Sequence, residues 1–552
     1  MVSHDTRGTN KSAATWRDSL REIGNAQAEG RLNEAIDLNV EGIASYPTVL
    51  TLRAKHLQLL LKARHADKAA EAAQQWPNWP KLDARTAKLV AISLARGGSS
   101  DDVVRFYMKS ASLLTEDAQA VCAVMDAYTA LRNPEAALAV ADIHRKRVGE
   151  ISAIVYERMC VLQADMGDME TSNASALLAL EKSPDSVRAG VQLARNLMQA
   201  GTPRTALRYL EHVVETAPHL VRVRVDAARA AKLSGRSELA VELLSAIPED
   251  QLIRNRANER LLISTLIQAG KIDTAEARYQ SMVSRLRIKQ APTLAQALDA
   301  GPDKTTDLDA RFDWARELTD AISTQESAWI EAARWGAHAD ATLLDWLETR
   351  IEGVEEIMEL FVDISAAEAD LENYIGRGAS LIVSAHIGAL YAGPVAMELM
   401  GLDAVWLASS PNPPGAHYGK QLISTTDNNE TQVARGVLTA LSADKAVVIA
   451  LDGTSNPGAP RAAFGGKQVT YSTYPSKLSA RYKIPTMFGA AFWTKDRKID
   501  FHLAPMPTYK PGSSMEDYLS HWREVYFENV VCVINKSPEN LRLMGGIWRD
   551  VR

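Results

Sequence analysis

"MQAGTPRTALRYL", Met198 to Leu210, sets the frame for the first half of the chain. Apolar residues recur at helical spacing on both sides of Gly201, and Ala206 follows five residues later. The reading is helix, glycine turn, helix, with a small residue where the two helices must approach. The same arrangement recurs in "AEGRLNEAIDL", "LKARHADKAAEAA", "LARGGSSDDVVRF", "TALRNPEAALAVA", "ADMGDMETSNASA", "KLSGRSELAVELL" and "IQAGKIDTAEARY". The turn positions are Gly30, Arg64, Gly98, Arg132, Gly167, Gly201, Gly235 and Gly270, spaced 34, 34, 34, 35, 34, 34 and 35 residues apart. Their partners Ala35, Ala69, Val103, Ala137, Ser172, Ala206, Ala240 and Ala275 keep the same spacing. Pro47, Pro184 and Pro218 stand where a second helix should stop. A fixed period of this length predicts stacked helical hairpins, each completing its core against a neighbour.

This half resembles the tetratricopeptide repeats, although most of that family's aromatic positions are aliphatic here. The resemblance implies other proteins as partners through the repeat surface. The repeats are expected over 16–289, after a polar tail over 1–15.

The bulk numbers narrow the classes. The chain has 552 residues, enough for more than one core, with 46% hydrophobic and 24% charged residues. Lys plus Arg is 62 against 68 Asp plus Glu, so no global basic charge points to nucleic acid. Cys122, Cys160 and Cys532 are far apart and make no C-x-x-C pair, which fits a reducing compartment. No apolar run approaches the length of a membrane span, and the polar start "MVSHDTRGTNKSAATW" reads as no secretory signal. The expected location is the cytoplasm.

The 34-residue period stops near Gln290. "QAPTLAQALDAGPDKTTDLDARFDW" reads as a linker over 290–311, and 312–552 as a second domain able to fold alone. After Gly376 the apolar runs "SLIVSA", "DAVWLA", "KAVVIAL", "PTMFGAAFW" and "KIDFHLA" alternate with helical pieces at Ala389–Met400, Glu430–Ala443 and Pro475–Tyr482; a last helix spans Met515 to Asn535. The expected architecture is an α-solenoid of helical-hairpin repeats followed by an α/β layered domain. His386 stands just past "SLIVSA", at a strand end opening on a small-residue turn, where ligands gather in such sheets.

Residues 312–552 also resemble the lysophospholipid acyltransferase-like superfamily, and within it the late acyltransferases of lipid A biosynthesis. The matching blocks, in order, are "LIVSAHIGAL", "LDGTSNPGAPRAAFGGKQVTYST", "YPSKLSARYKIPTMFGAAFW" and "SPENLRLMGGIWR". The resemblance implies acyl transfer from an acyl-carrier protein or coenzyme A thioester to a hydroxyl or amine of a glycan, glycolipid or related envelope molecule. It implies His386 as the base and no bound cofactor; the histidines are scattered without ligand spacing, so no metal is expected. The expected substrate-binding residues are Gly388, Tyr391, Lys420, Phe464, Gly465 and Lys467, and peripheral association with the inner face of a membrane is expected.

The sequence departs from that family in three ways. The family's H-x-x-x-x-D/E carboxylate is replaced by Tyr391. Where an arginine is common after the second strand, only His417 and Lys420 are offered. The family's N-terminal membrane anchor gives way to the repeats. Asp452, ending "AVVIALD", is the first substitute for the missing carboxylate, and Glu398 in the following helix is the second. Each site residue also has a plainer reading. His386 can be a satisfied turn histidine, and Asp452 a cap on the Gly-Thr-Ser turn. Phe464-Gly465-Gly466-Lys467 reads either as a tight turn with a solvated lysine or as a phosphate cradle. Two other functions stay open: an inactive relative serving as a scaffold in envelope or polysaccharide assembly, and a different transfer such as glycosyl transfer. P-loop, G-x-S-x-G and H-E-x-x-H patterns are absent from the sequence.

Overall fold

The computed structural model describes residues 15–301, 309–318, 326–350, 353–376, 378–416, 421–452, 454, 459–541 and 546. The chain divides into two compact units, one running to Leu197 with Arg208–Pro218, the other Met198–Leu207 with His219–Arg552.

All eight turn positions of the repeats have positive φ, from +56° at Arg132 to +85° at Gly167. Six are glycines, for which this conformation costs little; Arg64 and Arg132 adopt it against the Cβ clash. All eight small positions are fully buried. The helices stop at Ser45, Lys182 and Thr216, just before Pro47, Pro184 and Pro218.

In the first unit, Asp83, Asp117, Asn133 and Asp168 cap helix starts by accepting from backbone N–H groups, each worth ~1 kcal/mol. Arg158 forks onto Asp126 of the preceding hairpin with both bonds at 2.9 Å. Ser172, the polar exception among the small positions, donates to Cys160 O at 2.6 Å and accepts from Asn196 Nδ2 at 2.7 Å. Its hydroxyl is therefore satisfied where an alanine would otherwise stand.

The second unit carries a six-stranded sheet: β1 Ser380–Ser384, β2 Ala404–Ala408, β3 Leu422–Ser424, β4 Ala446–Ala450, β7 Thr486–Trp493 and β8 Ile499–Pro505. A separate hairpin is formed by β5 Arg461–Phe464 and β6 Lys467–Thr470. The sheet order is β3-β2-β4-β1-β7-β8, parallel except for the antiparallel edge strand β8. β1 is interior and buried along its whole length, as a parallel strand covered on both faces must be. On one face, Val383 and Phe488 pack with Trp522, Tyr526 and Val530 of the helix Met515–Ile534. On the other, Ile382 and Met487 pack with Leu371 and Ala396 of the helices Ser365–Tyr374 and Ala392–Leu399.

The stretch expected as a linker over 290–311 is packed in its first part. Leu294–Asp299 is a helix whose Leu294 and Leu298 enter a core with Trp335, Leu343 and Trp346. The last repeats also belong to the same compact unit as the sheet. Arg256 and Arg260, on the helix Arg256–Gln268, both pair with the fully buried Glu348. Ser264 and Gln268 of that helix bond to Asp427 at 2.6 Å and to Thr426 O at 3.0 Å, in the loop after β3. Both arginines lie before residue 312, and without them the Glu348 carboxylate would be buried without these partners. Among the described residues, no helix is long and apolar enough to cross a membrane.

Candidate active site

The pairing of β1 with β4 decides the geometry. Ser384 lies opposite Ala450 in parallel register. Two residues farther along each strand stand His386 and Asp452, so the register brings them side by side. Asp452 Oδ1 accepts from the His386 backbone N–H at 2.9 Å and lies 3.0 Å from His386 Nδ1. The carboxylate is fully buried, whereas the imidazole keeps 28% of its side-chain surface exposed. A carboxylate only accepts, so Nδ1 holds the proton and Nε2 presents the lone pair of the neutral ring. Of the two carboxylates the sequence offered, Asp452 reaches the ring. Glu398 is exposed, on the helix Ala392–Leu399.

The surroundings hold this pair rigidly. Leu451 N–H donates to Ser384 O at 3.0 Å, and Tyr526 OH donates to the same carbonyl at 3.0 Å. Burial, and then the Asp452 charge, push the Tyr526 phenol far above its ordinary range, so it stays protonated. Gly388, at φ +62°, turns the chain so tightly that a Cβ would lie 2.3 Å from Ala491 O. Its N–H donates to Asn540 O at 2.8 Å. The buried Asn540 side chain in turn accepts from Trp493 N at 2.7 Å and donates to Trp493 O at 3.0 Å.

The remaining expected residues are placed apart from the ring in different ways. Tyr391 fills the acidic position as the residue preceding the helix Ala392–Leu399; its backbone N–H meets Asp340 at 3.4 Å, and its side chain packs with Trp406 and Leu422. Phe464 is buried in the main core. Gly465 and Gly466, both at positive φ, form the two-residue turn between β5 and β6. Gly465 O accepts from Trp314 Nε1 at 2.6 Å, and a Cβ there would strike Leu318. That contact gives the Gly-Gly turn a packing role, while Lys467 is exposed beside it. Lys420 and His417 lie outside the described residues. Sequence reasoning missed Tyr526, Asn540 and Gly546. The block "SPENLRLMGGIWR" was the only signal for the last two, and it carried no individual roles.

Together these features define a tetratricopeptide-repeat region followed by an α/β domain with a histidine–aspartate pair at its strand ends. Residues 197–252 match the tetratricopeptide repeat family. The chain is 34% identical over 379 residues to the Vi polysaccharide export protein VexE of Salmonella typhi, covering 68% of this chain and 57% of that protein. It thus spans less than two thirds of that relative's length. Among solved structures, it is similar to PilF of Pseudomonas aeruginosa, at 12% identity, 37% and 90% coverage and a TM-score of 0.32. A tetratricopeptide repeat protein of Parabacteroides merdae gives 13% identity, 46% and 98% coverage and a TM-score of 0.36.

Proposed function

We propose that this chain transfers an acyl group from a carrier thioester to a hydroxyl or amine of a glycan or glycolipid in the assembly of a cell-surface polysaccharide. The His386–Asp452 pair carries this reading. His386 Nε2 takes the proton of the acceptor O–H or N–H as that atom attacks the thioester carbonyl. Asp452 holds the ring in the required tautomer and stabilises the imidazolium. Collapse of the tetrahedral intermediate breaks the C–S bond, and the imidazolium returns its proton to the leaving thiolate. The products are the acylated acceptor and the free carrier thiol. The similarity to a Vi polysaccharide export protein supports a polysaccharide acceptor, and the repeats supply a surface for other proteins of such an assembly.

The test is consumption of acyl-carrier protein and coenzyme A thioesters with polysaccharide-type acceptors. Turnover that falls in His386→Ala while folding is retained supports the reading. A folded wild type without turnover across these donors and acceptors favours a non-catalytic scaffold.

A further inference from the structure

We infer that Gly546 is a positioning residue, whose backbone must lie directly on the His386–Asp452 pair with no side chain between. Gly546 is buried at φ +50°. A Cβ at this position would lie 2.1 Å from Asp452 Oδ2, 2.5 Å from His386 Cβ and 2.9 Å from His386 Cγ. Real side chains do not tolerate such distances, and the atoms met belong to both members of the pair at once. The carboxylate has little freedom to yield. It is fully buried, with Oδ1 engaged by the backbone and ring of His386. The turn beyond His386 is fixed by Gly388 N–H on Asn540 O and by Ala389 N–H on Ala491 O. A methyl at 546 therefore has to displace Asp452, His386 or the 546 backbone: moving either side chain separates Nδ1 from Oδ1, and moving the backbone opens this side of the pair. The backbone at Gly546 thus closes one side of the pair and holds the ring where Nε2 is useful.

The experiment uses the full chain with Gly546→Ala, Asp452→Ala, the double variant, and Gly512→Ala as control. Gly512 also has positive φ, +89°, but a Cβ there meets nothing within 4 Å. It therefore reports the backbone cost alone. Gly546→Ala is expected to lower Tm more than Gly512→Ala does. Much of that excess should vanish on the Asp452→Ala background, where the carboxylate it strikes is gone. In 15N-histidine-labelled protein, the His386 Nδ1–H resonance, assigned by its loss in His386→Gln, should shift or disappear in Gly546→Ala. The turnover arm rests on the acyl-transfer reading; there kcat should fall about 10²-fold with KM little changed, as for a misplaced reactive group. Equal Tm losses at 546 and 512, additive effects with Asp452→Ala, or an unchanged Nδ1–H resonance would overturn the inference. These readouts need no turnover, so they stand even if the acyl-transfer reading fails. If Gly546→Ala does not fold, the Asp452→Ala and His386→Gly background, which removes every atom the methyl strikes, decides: recovery of folding supports the contact, and no recovery contradicts it.

Discussion

His386 Nδ1 lies 3.0 Å from Asp452 Oδ1 because both residues continue adjacent parallel strands in unbroken register. Their separation of 66 residues equals that of every pair between β1 and β4, from Ser380 with Ala446 to Ser384 with Ala450. The carboxylate beside the His386 ring thus comes from the neighbouring strand, while position 391 holds a tyrosine.

Asp452→Asn should separate charge from structure. Asparagine keeps an oxygen for the His386 backbone N–H, so Tm should change little. Without the negative charge, the wrong tautomer becomes available, and kcat should fall by about 10²–10⁴-fold. Unaltered turnover in a folded Asp452→Asn protein would remove the aspartate from the mechanism.

Glu348 ties the last repeats to the helix Glu326–Thr349. Two arginines outweigh its burial and hold its carboxyl below the usual carboxylate range. Leaving a buried charge unpaired costs about 3–5 kcal/mol, so the double change Arg256→Ala and Arg260→Ala should destabilise strongly and either alone by less, as denaturant unfolding can show. The sign with pH follows from the depressed native value. The contribution is present above the unfolded carboxyl's pKa and is lost as pH falls through the lower folded one. Glu348→Gln should therefore flatten the acid limb of the stability curve. A chain beginning at residue 312 lacks both arginines and should melt below one beginning at 219.

At Lys232 the buried charge costs stability, where at Glu348 it contributes stability, but stability again rises with pH. Burial lowers the Lys232 ammonium to about 8, opposed by Asp427. It donates to Ser264 Oγ at 2.6 Å, and Ser264 donates to Asp427. Because the folded value is below the unfolded one, the native state at neutral pH bears the cost of a buried charge. Stability relative to Lys232→Met should therefore rise between about pH 8 and pH 10, measurable by urea titration at each pH.

Ala206 and Ala240 are fully buried at the predicted small positions. Leucine at either should overpack the hairpin and cost about 1–3 kcal/mol, read as a lower urea midpoint. An unchanged midpoint at both would contradict the close approach.

The repeats were legible because one physical constraint recurs eight times. The chain must turn through positive φ and then bring two helices together, and the sequence records both needs. Arg64 and Arg132 fit only through the spacing, since residue type alone argues against a left-handed conformation there. Five strands were likewise visible as apolar runs. β3, β5 and β6 were not, being three or four residues long. The Gly465-Gly466 turn could be read as a cradle or a hairpin, and only the packing of Trp314 and Leu318 gives it a structural role. Asp452 was a candidate, but its reach to His386 depends on which strands are neighbours. That order arises from long-range packing and is not written locally.

The most direct measurement is steady-state acyl-thioester consumption with a polysaccharide-type acceptor by wild type, His386→Ala and Asp452→Asn, with folding followed by circular dichroism. The account predicts turnover by wild type, loss of roughly 10²–10⁴-fold in both variants, and native spectra throughout. Activity unchanged in folded His386→Ala would contradict it.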